Sequence, residues 1–157
     1  MDASGKMNIK QKYDLVVSSE VIEHIDSEQG LYVKNLCSLL KEGGYLLITT
    51  PNEKWKATFY SNGRDVWKQP IENWIKATKL QEFLYSESIK ITYSSSFNSQ
   101  WIFDIRPSIN LLTTVVSNSF VRKTLKLLGL YIYCINALNN KGYGLNSIVC
   151  GVKNNES

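Results

Sequence analysis

The chain has 157 residues and a formal net charge of +4. That is long enough for one domain with a real core, and 43% apolar content with no low-complexity stretch excludes a disordered or fibrous chain. The charge is uneven: residues 1–60 hold 7 Lys/Arg against 8 Asp/Glu, residues 61–157 hold 11 against 6. The second half therefore either favours an anionic partner or presents a solvated basic face. Cys37, Cys134 and Cys150 are odd in number and widely spaced. They support neither a disulfide frame nor a zinc knuckle, and suggest a reducing, cytoplasmic setting. No signal-peptide core opens the chain, and the uncharged run 127–140, like the run 107–121, falls short of the roughly 20 residues a spanning helix needs.

In chain order, "YDLVV" (13–17) is continuous and apolar, as in a strand buried on both faces of a parallel sheet. Asp26 or Ser27 can cap a following helix, in which Val33, Leu36, Leu39 and Leu40 repeat at helical spacing, and Gly43-Gly44 stops it. "YLLITT" (45–50) is a second buried strand ended by Pro51-Asn52. Strand, helix and strand with short joints form a right-handed βαβ unit, so the class is α/β with a parallel sheet. Residues 53–75 are irregular, with a turn at Asn62-Gly63. "ATKLQEFLYSE" is a helix capped by Thr78, "IKITYSSSF" (89–97) an alternating strand, and "NSIVCGVK" (146–153) a closing strand. Between the last two, 107–140 is an apolar helical insertion in what is otherwise one domain.

Three blocks in this order, "YDLVVSSEVIEHI", "LLKEGGYLLITTPN" and "PIENWIKATKLQEFL", resemble the class I S-adenosylmethionine-dependent methyltransferases, in particular the ubiquinone-biosynthesis O-methyltransferases. The resemblance implies a partial Rossmann-like sheet, strands four to seven, with flanking helices. It implies S-adenosylmethionine as cofactor, held by Asp2 and Ala3 at the end of a third strand and by Ser19 and Glu20 after the fourth. No glycine-rich strand-to-helix loop occurs in the chain, which implies the C-terminal part of such an enzyme, with weak cofactor binding alone and either an N-terminal half supplied elsewhere or self-association. The implied activity is O-methyl transfer to a small hydroxylated, lipid- or sugar-like acceptor. A non-catalytic remnant acting as an association module is the rival, and a small-RNA methyltransferase the third. The RNA enzymes carry a further histidine where this chain has Asn73, which argues against a nucleic-acid partner.

Glu20, Glu23 and His24 are the chemistry-bearing cluster. On a helical turn, i, i+3 and i+4 share a face, and two carboxylates with one imidazole suit Mg²⁺, Mn²⁺ or Zn²⁺. Alternatively His24, backed by Glu23, is the base that deprotonates the acceptor. In the plainest reading the segment caps a helix and His24 bonds a backbone carbonyl. Pro51, Asn52 and Asn73 are candidate acceptor contacts; Pro-Asn is equally an ordinary strand-ending turn. Trp55, Trp67, Trp74 and Trp101 either line an acceptor pocket or pack the core. The segment 122–138 either rests on a membrane surface or packs on the sheet.

Overall fold

A computed structural model describes residues 10–26, 28–60, 69–97 and 144–154, with Lys123, Thr124, Lys126, Asn136, Ala137 and Asn139. Asp2, Ala3, Trp67, Trp101, the Asn62-Gly63 turn and most of the 107–140 insertion lie outside the described residues.

Strand β1 (Tyr13–Ser19) leads through a 3-10 turn, Ile22–His24, into helix α1 (Gln29–Ser38). Strand β2 (Leu40–Pro51) follows, then a 3-10 turn (Glu53–Trp55) and a short helix α2 (Lys56–Phe59). Helix α3 (Ala77–Ser86) precedes β3 (Ile89–Phe97), and β4 (Asn146–Lys153) completes the sheet. The sheet order is β1-β2-β4-β3. The β1-α1-β2 unit is parallel as expected, from Leu15 opposite Tyr45 to Ser19 opposite Thr49. The closing strand corrects the expectation of a wholly parallel sheet: β4 runs antiparallel to both β2 and β3. Apolar patterning reports which faces are buried, not which way a strand runs, so the sequence carried no signal for this.

One sheet face holds the core. Val16, Leu46, Ile48 and Val149 meet Val33 and Leu36 of α1 and Leu80 and Leu84 of α3, all buried. On the same face Ser18 is buried because its hydroxyl pairs with that of Tyr32 at 2.8 Å. On the opposite face Leu15, Val17, Tyr45 and Tyr93 are exposed.

Three boundary expectations need correction. Gly43-Gly44 does not stop α1, which ends at Ser38 with the Ser38 hydroxyl donating to the Asn35 carbonyl at 2.7 Å. The glycines sit inside β2, where pairing jumps from Tyr13–Leu40 to Leu15–Tyr45. Gly43 has φ 71°, and a Cβ on Gly44 would lie 2.9 Å from the Lys41 carbonyl oxygen and 3.0 Å from that of Tyr13. Only glycine fits that irregularity. The α1 cap position is Glu28, not Asp26, and it makes no side-chain capping bond; Ser27 lies outside the described residues. Instead the Gln29 amide donates to the carbonyls of Ile22 (3.0 Å) and Asn73 (2.6 Å), tying the helix start to two neighbouring loops. Thr78 lies within α3, whose cap position is Lys76.

Candidate functional site

The site forms where β1 and β2 end. The Glu20 N–H still bonds the Thr49 carbonyl at 2.9 Å, so the residue keeps step with β2, yet its φ is 53°. A left-handed conformation is uncommon for a side chain with a Cβ, and here it turns the chain out of the sheet into the Ile22–His24 turn. The expected i, i+3, i+4 helical face is therefore corrected: Glu20 precedes the turn. Fully buried Ile22 anchors that turn in the core.

Glu20, Glu23 and His24 nonetheless line one cavity of about 220 Å³, with Pro51, Phe59, Tyr60 and, from the 69–74 segment, Gln69, Glu72 and Trp74. Glu23 is only 2% exposed. Its Oε2 accepts from the Thr50 hydroxyl at 3.0 Å, and its Oε1 lies 3.7 Å from His24 Nε2. Glu20 Oε2 accepts from the Asn146 amide at 2.7 Å, while Oε1 is buried with no hydrogen-bond partner among the described residues. Burial pushes both carboxyls above their ordinary value, and at Glu23 the neighbouring Glu20 charge adds to the effect.

His24 Nδ1 lies 2.9 Å from the Ile71 carbonyl oxygen. A carbonyl only accepts, so Nδ1 carries a proton, and in the tautomer this selects the lone pair lies on Nε2. The plain expectation of a carbonyl-bonded histidine thus describes one ring nitrogen, while the other remains beside Glu23.

These commitments do not suit a metal. Glu20 is drawn towards Asn146, Glu23 towards Thr50, and one imidazole nitrogen is engaged. Among the described residues no group of three or more His, Cys, Asp or Glu side chains is disposed to hold an ion. The Mg²⁺ or Zn²⁺ set of Glu20, Glu23 and His24 does not fit this structure.

Of the expected acceptor contacts, Pro51 lines the cavity. Asn52 is committed elsewhere: its N–H bonds the Leu145 carbonyl (2.6 Å), its amide donates to the Gly144 carbonyl (3.1 Å), and its Oδ1 accepts from the Lys54 N–H (3.3 Å). Asn73 is a clamp. Its N–H bonds the Glu23 carbonyl at 2.7 Å and its amide donates to the carbonyls of Ile25 (3.1 Å) and Asp26 (2.6 Å). It holds the 71–75 segment against the turn and is not a lining residue. Ser19 bonds across the strand end, hydroxyl to hydroxyl, with Thr49 at 2.9 Å. Trp55 is buried, and Trp74 lines the cavity.

Thr50, Phe59, Tyr60, Glu72 and Asn146 belong to the site without having been singled out from sequence. Glu72, an acid directly beside Asn73 and Trp74, was the one local signal available. A larger cavity of about 520 Å³ opens between β3, β4 and Asn136 and Asn139, and among the described residues no carboxylate or imidazole lines it. The chemistry therefore sits in the smaller one.

Residues 2–101 match the Methyltransferase domain family. Ubiquinone biosynthesis O-methyltransferase from Nitrobacter winogradskyi is 31% identical over 51 residues, 32% of this chain and 19% of that protein. The chain thus aligns with about a fifth of that relative's length. Among solved structures, a SAM-dependent methyltransferase from Thermotoga maritima superposes with a TM-score of 0.55 at 13% identity, covering 96% of this chain and 61% of that one. Phosphoethanolamine N-methyltransferase 2 from Haemonchus contortus, solved with S-adenosyl-L-methionine, gives a TM-score of 0.54 at 16% identity, covering 98% and 36%. At such identities the structures speak for the fold alone. The family match over residues 2–101, set on a β1-α1-β2 unit whose carboxyl end opens on a cavity of buried acids, shows that the chain belongs to the S-adenosylmethionine-dependent methyltransferases.

Proposed function

We propose that this chain serves O-methyl transfer from S-adenosylmethionine to a small hydroxylated, lipid- or sugar-like acceptor held in the Glu23–His24 cavity. The observation that carries the reading is the His24 ring. The Ile71 carbonyl holds the proton on Nδ1, which leaves Nε2 as a base 3.7 Å from a buried carboxylate.

S-adenosylmethionine, when bound, supplies an electrophilic methyl group on a sulfonium and leaves as neutral S-adenosylhomocysteine. Ser19 and Glu20, at the carboxyl end of β1, are the described residues suited to hold it. The unpartnered Glu20 Oε1 fits a ligand bearing an N–H or O–H donor. By resemblance Asp2 and Ala3 would join them. His24 Nε2 takes the proton of the acceptor hydroxyl as its oxygen attacks, and Glu23 balances the imidazolium that results. Pro51 and the aromatic rings narrow the space around the acceptor. Alignment of the two reactants supplies much of the rest of the rate.

An association module without catalysis has no need of an imidazole nitrogen poised 3.7 Å from a buried acid. In the full protein containing this chain, His24→Ala lowers kcat on the order of a hundredfold and leaves S-adenosylmethionine affinity unchanged. Wild-type turnover in that variant would sink the catalytic reading. Dialysis against a chelator leaves turnover unchanged; activity lost on chelation and restored by Mg²⁺ or Zn²⁺ would reinstate a metal that these side chains are not arranged to hold.

A further inference from the structure

Three aromatic rings gather on one side of the cavity. Phe59 and Tyr60 meet edge to face with centroids 5.3 Å apart, and Trp74 stands 5.6 Å from Phe59 and 5.8 Å from Tyr60. All three line the cavity. They come from two separate segments, the end of α2 and the strand-like stretch before α3, and the cluster is not continuous with the main core. Glu72 also lines the cavity, and its carboxylate accepts from the Trp74 indole N–H, which fixes the ring. Its second oxygen takes the Gln69 N–H at 3.3 Å.

The charge here is one-sided. Glu20, Glu23 and Glu72 line the cavity, and no Lys or Arg does so among the described residues. Among the described residues, Lys56 is turned to the backbone carbonyl of Glu72. A phosphorylated or carboxylated acceptor would meet three acids and, among the described residues, no lining Lys or Arg. A neutral apolar one would leave Glu23, which is 2% exposed, facing a group that cannot answer its charge. A cation satisfies both walls, because ring faces attract positive charge and carboxylates balance it.

We infer that the acceptor carries an ammonium group, seated against the Phe59, Tyr60 and Trp74 rings and facing Glu23 and Glu72, so that the substrate class is a cationic amino-alcohol or amino sugar. This rests on the proposed reading of the cavity as the acceptor site and names what that site selects. His24 lies on the same wall as Glu23, so a hydroxyl on the molecule that places its ammonium on the rings can reach Nε2.

The test uses two probes of the same shape, each with a primary hydroxyl: choline, which is cationic, and 3,3-dimethylbutan-1-ol, its neutral isostere. Their affinities for the full protein are measured by calorimetry, without turnover. Choline is expected to bind about tenfold tighter or more, within the range of a desolvated cation–ring contact. Trp74→Leu and Glu72→Gln are each expected to cut that preference several-fold. Glu72→Gln changes little in shape and gives the answer even where Trp74→Leu fails to fold. Equal affinity for the two probes overturns the inference, and so does a preference for choline that survives Glu72→Gln, since the cation would then sit elsewhere. The outcome is separable from catalysis. Choline preference together with wild-type turnover in His24→Ala would remove the base and leave the cation site standing. His24-dependent turnover with no preference for choline would do the reverse.

Discussion

Strand β1 has a carboxylate near each end, and the two behave in opposite ways. Asp14, near the start, bonds Lys41 Nζ through both oxygens at 3.0 and 2.9 Å, with both side chains largely in water. The hydrogen bond and charge of Lys41 hold its carboxyl below the ordinary value. Glu20 lies just past the other end, with Glu23 behind it, and burial pushes both upward. The same functional group is thus a solvated surface acid at one end and a strained, desolvated one at the other. The difference comes from what surrounds it: water and a lysine, or the Ile22 turn, Thr50 and a wall of aromatic rings.

The comparison breaks most sharply if the turn loses its anchor. Ile22 is fully buried and carries Glu23 and His24 behind it. Ile22→Ala is expected to cost roughly 2–5 kcal/mol of stability, the usual range for deleting that much buried side chain, read as a lower urea midpoint. Turnover in the full protein should fall as well, because the imidazole is positioned through this turn. An unchanged midpoint would mean that the turn is held by its hydrogen bonds alone, through Asn73 and Gln29.

A smaller effect separates the buried acids by pH. The folded-state value at Glu23 is raised, so between the ordinary value of 4.5 and the raised one the native protein holds more protons than the unfolded chain. Stability from this group is full below that window and is lost as pH rises through it. Glu23→Gln removes the titration and keeps an oxygen for the Thr50 hydroxyl. The melting temperature of the variant relative to wild type should therefore be more favourable at pH 7 than at pH 4. A constant difference across that range would place the Glu23 charge in water.

Much of the fold could be read from the sequence, because the signal was local. The strands 89–97 and 146–153 have the bounds that their patterning gave, and β1 and α1 differ mainly at their ends. What escaped depended on partners far along the chain. Gly44 is needed because of a carbonyl on Tyr13, and no rule of helix stopping contains that contact. The direction of β4 is set by its place between β2 and β3. In the site, Glu20, Glu23, His24 and Pro51 do share one cavity, although the helical spacing that suggested it does not exist. Asn52 looked like a ligand because it follows a strand end, and Asn73 because the resemblance puts a histidine at its place; here backbone carbonyls and N–H groups take up their side chains. The ring cluster stayed hidden because Phe59, Tyr60 and Trp74 meet only when two loops fold together.

The smallest effect belongs to the exposed end. The Asp14 contribution is present above the ordinary aspartate value of 3.8 and is lost as pH falls through its lowered one, the reverse of Glu23. Both partners are open to solvent, so the attraction is screened and is offset by the cost of ordering a lysine. Asp14→Asn should leave the melting temperature at pH 7 almost unchanged, and added salt should erase what difference remains. A double-mutant cycle with Lys41→Met measures the pair directly. Its main complication is packing, since Lys41 belongs to the irregular start of β2 beside Gly44, and the Lys41 carbonyl is what a side chain there would strike. A coupling that persists at high salt would therefore report geometry at the Gly43-Gly44 irregularity, and would make this end of β1 as structured as the other.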